Sequence, residues 1–86
     1  MNWNEIRISI DKDLNTRGLV NPNIRINALE RLEGIMKAHF KEFLNDPSLL
    51  KKIDKNLFKE QLAKYKPNGK LNGAESSVIN EIYYRL

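Results

Sequence analysis

"NWNEIRISIDKDLNTRGL", residues 2–19, decides the fold, because it reads in two ways. Ile6, Ile8 and Ile10 alternate with Arg7 and Ser9, the period-2 pattern of a half-buried strand in a β-branched run. Trp3, Ile6, Ile10 and Leu14 also fall along one face of a helix. The ends separate the two readings. Asn2 and Glu5 have the spacing of a capping box, in which the cap side chain takes the N–H of the third helical residue. Gly18 stands where a left-handed residue closes a helix, which makes Leu14 and Leu19 the apolar pair of a Schellman ending. A helix over residues 3–17 is predicted.

Outward from this stretch the helical pattern continues. Asn21-Pro22 supplies a cap and a first-turn proline, and Ile24, Ala28, Leu32, Ile35, Met36, His39 and Phe43 then gather on one side. Asp46-Pro47 repeats the signal and opens a stretch carrying Leu50, Ile53, Leu57, Phe58, Leu62 and Tyr65, which Pro67-Asn68-Gly69 stops by turn chemistry. Asn72 and Glu75 form a second capping box, followed by Val78, Ile79, Ile82, Tyr83 and Leu86. The expected fold is all-α: one domain over residues 1–86, a small bundle of about four amphipathic helices near 3–17, 22–44, 47–65 and 73–86. Eighty-six residues support one core and not two.

Charge is distributed unevenly. Residues 51–70 hold seven lysines and two acids, a net +5, while the whole chain is +4. If residues 47–65 wind as one helix, Lys51, Lys52, Lys55, Lys59 and Lys66 fall within an arc of roughly 100°. Such a face attracts phosphates by counterion release, or an acidic protein by steering the encounter. Its plainest alternative is an ordinary solvated helix face. The segment contains no arginine, the side chain that reads phosphates and bases bidentately. Tyr84 projects away from the stripe of the last helix and is a separate contact candidate, since tyrosine is enriched at interfaces.

Several chemistries find no support. There is no cysteine, so thiolate metal sites, disulfides and thiol nucleophiles are excluded. Asp11, Asp13 and Asn15 imitate the start of a calcium loop, but Thr16 and Pro22 stand where glycine and an acid belong. His39, the only histidine, lies within an apolar stripe and reads as a core imidazole. No phosphate-binding glycine loop or hydrolase turn occurs. No catalytic residue, metal ligand or cofactor site is therefore assigned.

Two DNA-binding layouts compete with the bundle. Ile6–Ile10 would serve as the strand of a ribbon-helix-helix dimer, and the last two helices have the order of a helix-turn-helix, though joined by too long a connection. The expectation is a non-enzymatic inhibitor, adaptor or regulator that binds a protein partner through the lysine face, with nucleic acid as the alternative target and homo-oligomerisation compatible with either. No apolar run approaches the ~20 residues of a membrane span, and the start lacks a signal-peptide pattern, so a cytoplasmic location is expected. Asparagine, isoleucine and lysine, with 11, 9 and 10 copies, all have AT-rich codons, which fits a low-GC bacterium or its phage or plasmid.

Overall fold

In the computed structural model, which describes residues 2–86, the ambiguous isoleucines lie inside helix α1, Trp3–Thr16. Asn2 Oδ1 accepts the Glu5 N–H at 2.9 Å, and the Asn2 amide donates to Glu5 Oε1 at 3.1 Å, so part of the reciprocal cap runs through side chains. At the other end Leu19 N–H donates to Leu14 O at 2.9 Å and Gly18 N–H to Asn15 O at 3.3 Å, the two bonds of a Schellman motif. Gly18 has φ +107°, a conformation strained for any residue with a Cβ. Trp3, Ile6, Ile10 and Leu14 are buried, and Ile8 is left 69% exposed. The ribbon-helix-helix alternative thereby loses its strand.

The chain continues through α2 (Pro22–His39), α3 (Lys41–Asn45), a 3-10 turn (Pro47–Lys52), α4 (Lys55–Ala63) and α5 (Gly73–Tyr84). The two middle helices of the sequence reading, 22–44 and 47–65, are therefore each broken. At Phe40 the backbone leaves the helical region, with φ −137° and ψ 42°. The break lets neighbouring rings converge: Phe40 and Phe43 both meet Phe58 edge-on, at centroid distances of 5.7 and 5.6 Å. The second break falls at Ile53, which is extended, and Asp54 restarts the helix by accepting the Leu57 N–H at 3.1 Å. Tyr83 Oη donates to Ile53 O at 3.0 Å and ties this link to α5. Burial, and then the nearby Asp54 carboxylate, push the Tyr83 hydroxyl pKa up.

The register of α2 also differs from the predicted stripe. Arg25, Ala28, Leu29, Leu32 and Met36 are buried, whereas Ile24 and His39 are exposed. The cause is the loop after α1. Arg25 donates to Asp11 Oδ1 at 2.9 Å, Asn15 Oδ1 at 3.2 Å, Leu19 O at 3.0 Å and Val20 O at 2.8 Å. Loop carbonyls need donors, and a guanidinium supplies several at once, so the arginine takes the inward position.

α2 and α5 form the middle of the bundle: α1 packs on both, and α4 closes the opposite side. Leu32, Met36, Leu62, Val78, Ile79 and Ile82 carry the core and have no exposed surface. The 20 Å short axis corresponds to two helix layers. α5 begins as expected, with a complete capping box: Asn72 Oδ1 accepts the Glu75 N–H, and Glu75 Oε1 accepts the Asn72 N–H, both at 2.8 Å. No helix among the described residues is long and apolar enough to cross a membrane.

Candidate functional site

The cations divide by residue type. Four of the five arginines lie in ion pairs: Arg17 and Arg85 with Glu81, Arg85 also with Asp13, Arg25 with Asp11, and Arg7 with Glu33 at 3.5 Å. The Arg7 contact is one of charge only, because its Nε makes no hydrogen bond among the described residues. Among the described residues, the lysines in ion pairs are Lys37, 4.0 Å from Glu33, and Lys66.

The five lysines of the sequence reading do not share a helix. Lys51 and Lys52 are exposed on the 3-10 turn, ahead of the extended residue Ile53. Lys55 and Lys59 stand one turn apart on α4 and are half-buried. Burial, and then the neighbouring Lys55 charge, lower the Lys59 pKa. None of these four has a carboxylate within 4.0 Å among the described residues. Asp54 is occupied as the cap of α4.

Lys66 belongs to a different setting. Its ammonium donates to Glu75 Oε2 at 2.6 Å, with side-chain exposures of 12% for Lys66 and 0% for Glu75. Glu75 thus caps α5 with one oxygen and holds the connection before it with the other. Lys66 anchors the fold, and its charge is neutralised there. Tyr84 is 77% exposed at the end of α5, where the Arg17 guanidinium lies 5.6 Å from its ring centroid.

A groove of about 890 Å³ lies between the second half of α2 and the connection from α4 to α5. Arg31, Gly34, Ile35, Ala38 and His39 form one wall, and Tyr65, Pro67, Asn68, Lys70 and Asn72 belong to the other. His39 and Tyr65 stack across it with centroids 3.7 Å apart and planes at 13°. Phe40 meets Tyr65 edge-on at 5.9 Å, so the tyrosine ring is held from two directions. No Asp or Glu among the described residues lines this groove. Sequence reasoning missed it because His39 and Tyr65 both read as members of apolar stripes. The available signal was that each carries a polar tip within its stripe, and that Tyr65 stands just before the Pro67-Asn68-Gly69 turn.

The helix-turn-helix alternative is no better placed. α4 ends at Ala63 and α5 begins at Gly73, too wide a separation for the short turn of that motif. Comparison with protein-family models, with curated proteins and with solved structures gives no significant match to this chain.

Proposed function

We propose that this chain is a non-enzymatic binding protein, an inhibitor, adaptor or regulator of the kind carried by phages and mobile elements, that meets an acidic protein surface through Lys51, Lys52, Lys55 and Lys59. The observation that carries the reading is the gathering of four lysines within residues 51–59, none with a carboxylate partner among the described residues, in a molecule whose arginines are nearly all paired; Lys12, Lys41, Lys64 and Lys70 are also unpaired but are spread along the chain. Lys59 adds to it. Both influences that lower its pKa disfavour the ammonium, and a carboxylate brought by a partner would oppose them. Unpaired surface lysines steer encounters and tolerate varied acidic geometries, whereas base or phosphate reading favours the arginine fork that this segment lacks. Tyr84 offers a second, smaller contact.

The test compares the native chain with a charge-reversed variant in which all four lysines become glutamate. Both are used as bait in a low-GC bacterial lysate across a salt series. The native chain is expected to retain a protein that salt elutes and that the variant does not capture. Equal capture by both would remove these lysines from the binding surface. Titration with random duplex DNA separates the alternative: a log–log salt slope of several units would transfer the same lysines to phosphate binding.

A further inference from the structure

We infer that the groove between α2 and the 65–72 connection is the docking site for an acidic peptide segment, one that presents an aromatic or aliphatic side chain beside its carboxylates. This rests on the proposed protein-binding role and specifies the partner's chemistry.

Four of the polar side chains that line the groove, beside His39, Tyr65 and Lys66, are donors that the fold leaves free. Arg31 and Lys70 are exposed, and neither has an ion pair or a side-chain hydrogen bond among the described residues. The two amides are polarised the same way. Asn68 Oδ1 accepts the Lys70 N–H at 3.3 Å, and Asn72 Oδ1 accepts the Glu75 N–H at 2.8 Å. With both oxygens engaged by the backbone, the amide nitrogens remain as donors. Lys66 lines the same wall but is neutralised by Glu75, so it contributes shape and little charge. A ligand matched to this set must bring acceptors, and negative charge strengthens every one of those bonds.

The remaining lining is apolar: Ile35, Ala38, Pro67 and the Tyr65 ring. Gly34 leaves the floor open, since a Cβ built there meets nothing within 4 Å. A bare small anion would leave this apolar surface uncovered. His39 covers one face of Tyr65 and Phe40 meets the same ring at 78°, which restricts the aromatic surface left for a nucleotide base. An extended segment with alternating acidic and apolar side chains satisfies both kinds of lining, and the volume falls within the range of clefts that enclose ligands.

The experiment titrates the ¹⁵N-labelled full chain with the peptide acetyl-Asp-Glu-Phe-Asp-Glu-amide, with its Asn/Gln counterpart, and with adenosine monophosphate. Saturable amide shifts are expected at Gly34, Ala38, His39 and Lys70 with the acidic peptide and not with the amide counterpart. Arg31→Gln with Lys70→Gln should weaken that binding by about tenfold or more, through loss of two charge-assisted contacts. Gly34→Leu, whose Cβ would meet nothing within 4 Å, should block the site without unfolding the chain. Three outcomes would overturn the proposal: no saturable shifts in the groove, equal binding of the amide counterpart, or tighter occupation by the monophosphate. Repeating the titration with Lys51, Lys52, Lys55 and Lys59 changed to glutamine keeps the two readings apart. Binding retained there, beside failed lysate capture, sinks the lysine face alone, while capture without groove shifts sinks the groove alone.

Discussion

The arginines where α1, α2 and α5 meet and the lysines of the 3-10 turn and α4 do different physical work. Where α1, α2 and α5 meet, Arg17, Arg25 and Arg85 each take a carboxylate, and Arg25 and Arg85 also take backbone oxygens. On the 3-10 turn and α4, Lys51, Lys52, Lys55 and Lys59 take none among the described residues. A planar fork with five donors can satisfy several fixed acceptors at once, so arginine serves where loop and helix ends need closing. A lysine on a flexible stem loses rotamer entropy when held to one acceptor, and stays available to a partner. The contrast teaches that net charge alone does not locate a binding surface. What matters is which charges the fold has already used.

The sharpest attempt to break this contrast is at its exception, Lys66. Glu75→Ala removes the fully buried partner of that lysine and half of the α5 capping box, and should destabilise the chain by about 3–5 kcal/mol in urea denaturation. Pairing Glu75→Gln with Lys66→Met should recover most of the loss, because no buried charge is then left alone. A cost below about 1 kcal/mol for Glu75→Ala would place the pair with ordinary surface bridges and return Lys66 to the free set.

Arg25→Ala comes next. It strands the Leu19 and Val20 carbonyls and the Asp11 carboxylate together, and a loss of about 2–4 kcal/mol is expected, with proteolysis beginning in the 17–21 loop. Arg31→Ala serves as the control, since that arginine is exposed and unpaired among the described residues. A comparable loss there would erase the distinction between used and available cations.

The sequence made the outer helices legible and the middle ones only partly so. Capping at Asn2 and Asn72 and the Schellman close at Gly18 depend on bonds between near neighbours, and local spacing reveals those. The breaks at Phe40 and Ile53 depend on partners distant in sequence: Phe58 of α4 meets Phe40 and Phe43, and Tyr83 of α5 meets Ile53. Periodicity ran straight through both. Only Asp54, a good cap residue before Lys55-Asn56-Leu57, marked the second restart locally. The candidate surface suffered the same limit, because the arc of five lysines presumed a continuous helix and an unpaired Lys66. Composition located the excess charge; tertiary contacts decided which part of it remained free.

Tyr83→Phe sharpens the comparison at the seam between the two regions. The hydroxyl bond to Ile53 O orients the link between the 3-10 turn and α4, and its loss should cost about 1 kcal/mol. The pH dependence gives the sign. The folded-state pKa of Tyr83 is raised above its unfolded value of about 10, so this contribution is fully present below pH ~10 and is lost as pH climbs through the raised pKa. The advantage of the native protein over the Tyr83→Phe variant should therefore shrink in denaturation experiments above pH ~10, and a native advantage that grows there would contradict the assignment.

The smallest expected effect carries the most information about function. Changing Lys51, Lys52, Lys55 and Lys59 together to glutamine removes four charges and brings the net charge from +4 to zero. Yet each site should alter stability by no more than about 0.5 kcal/mol, as surface substitutions without fixed partners do. At Lys55 and Lys59 the sign should be favourable, since like charges one helical turn apart repel and burial already disfavours the Lys59 ammonium. That gain should shrink as salt is added, because screening weakens the repulsion being relieved. Urea denaturation at low and at physiological salt measures both quantities on one pair of proteins. A loss greater than about 2 kcal/mol would mean that the four lysines hold the fold as the arginines do. A near-neutral result, with partner capture abolished, would separate binding from folding for these four side chains as a set.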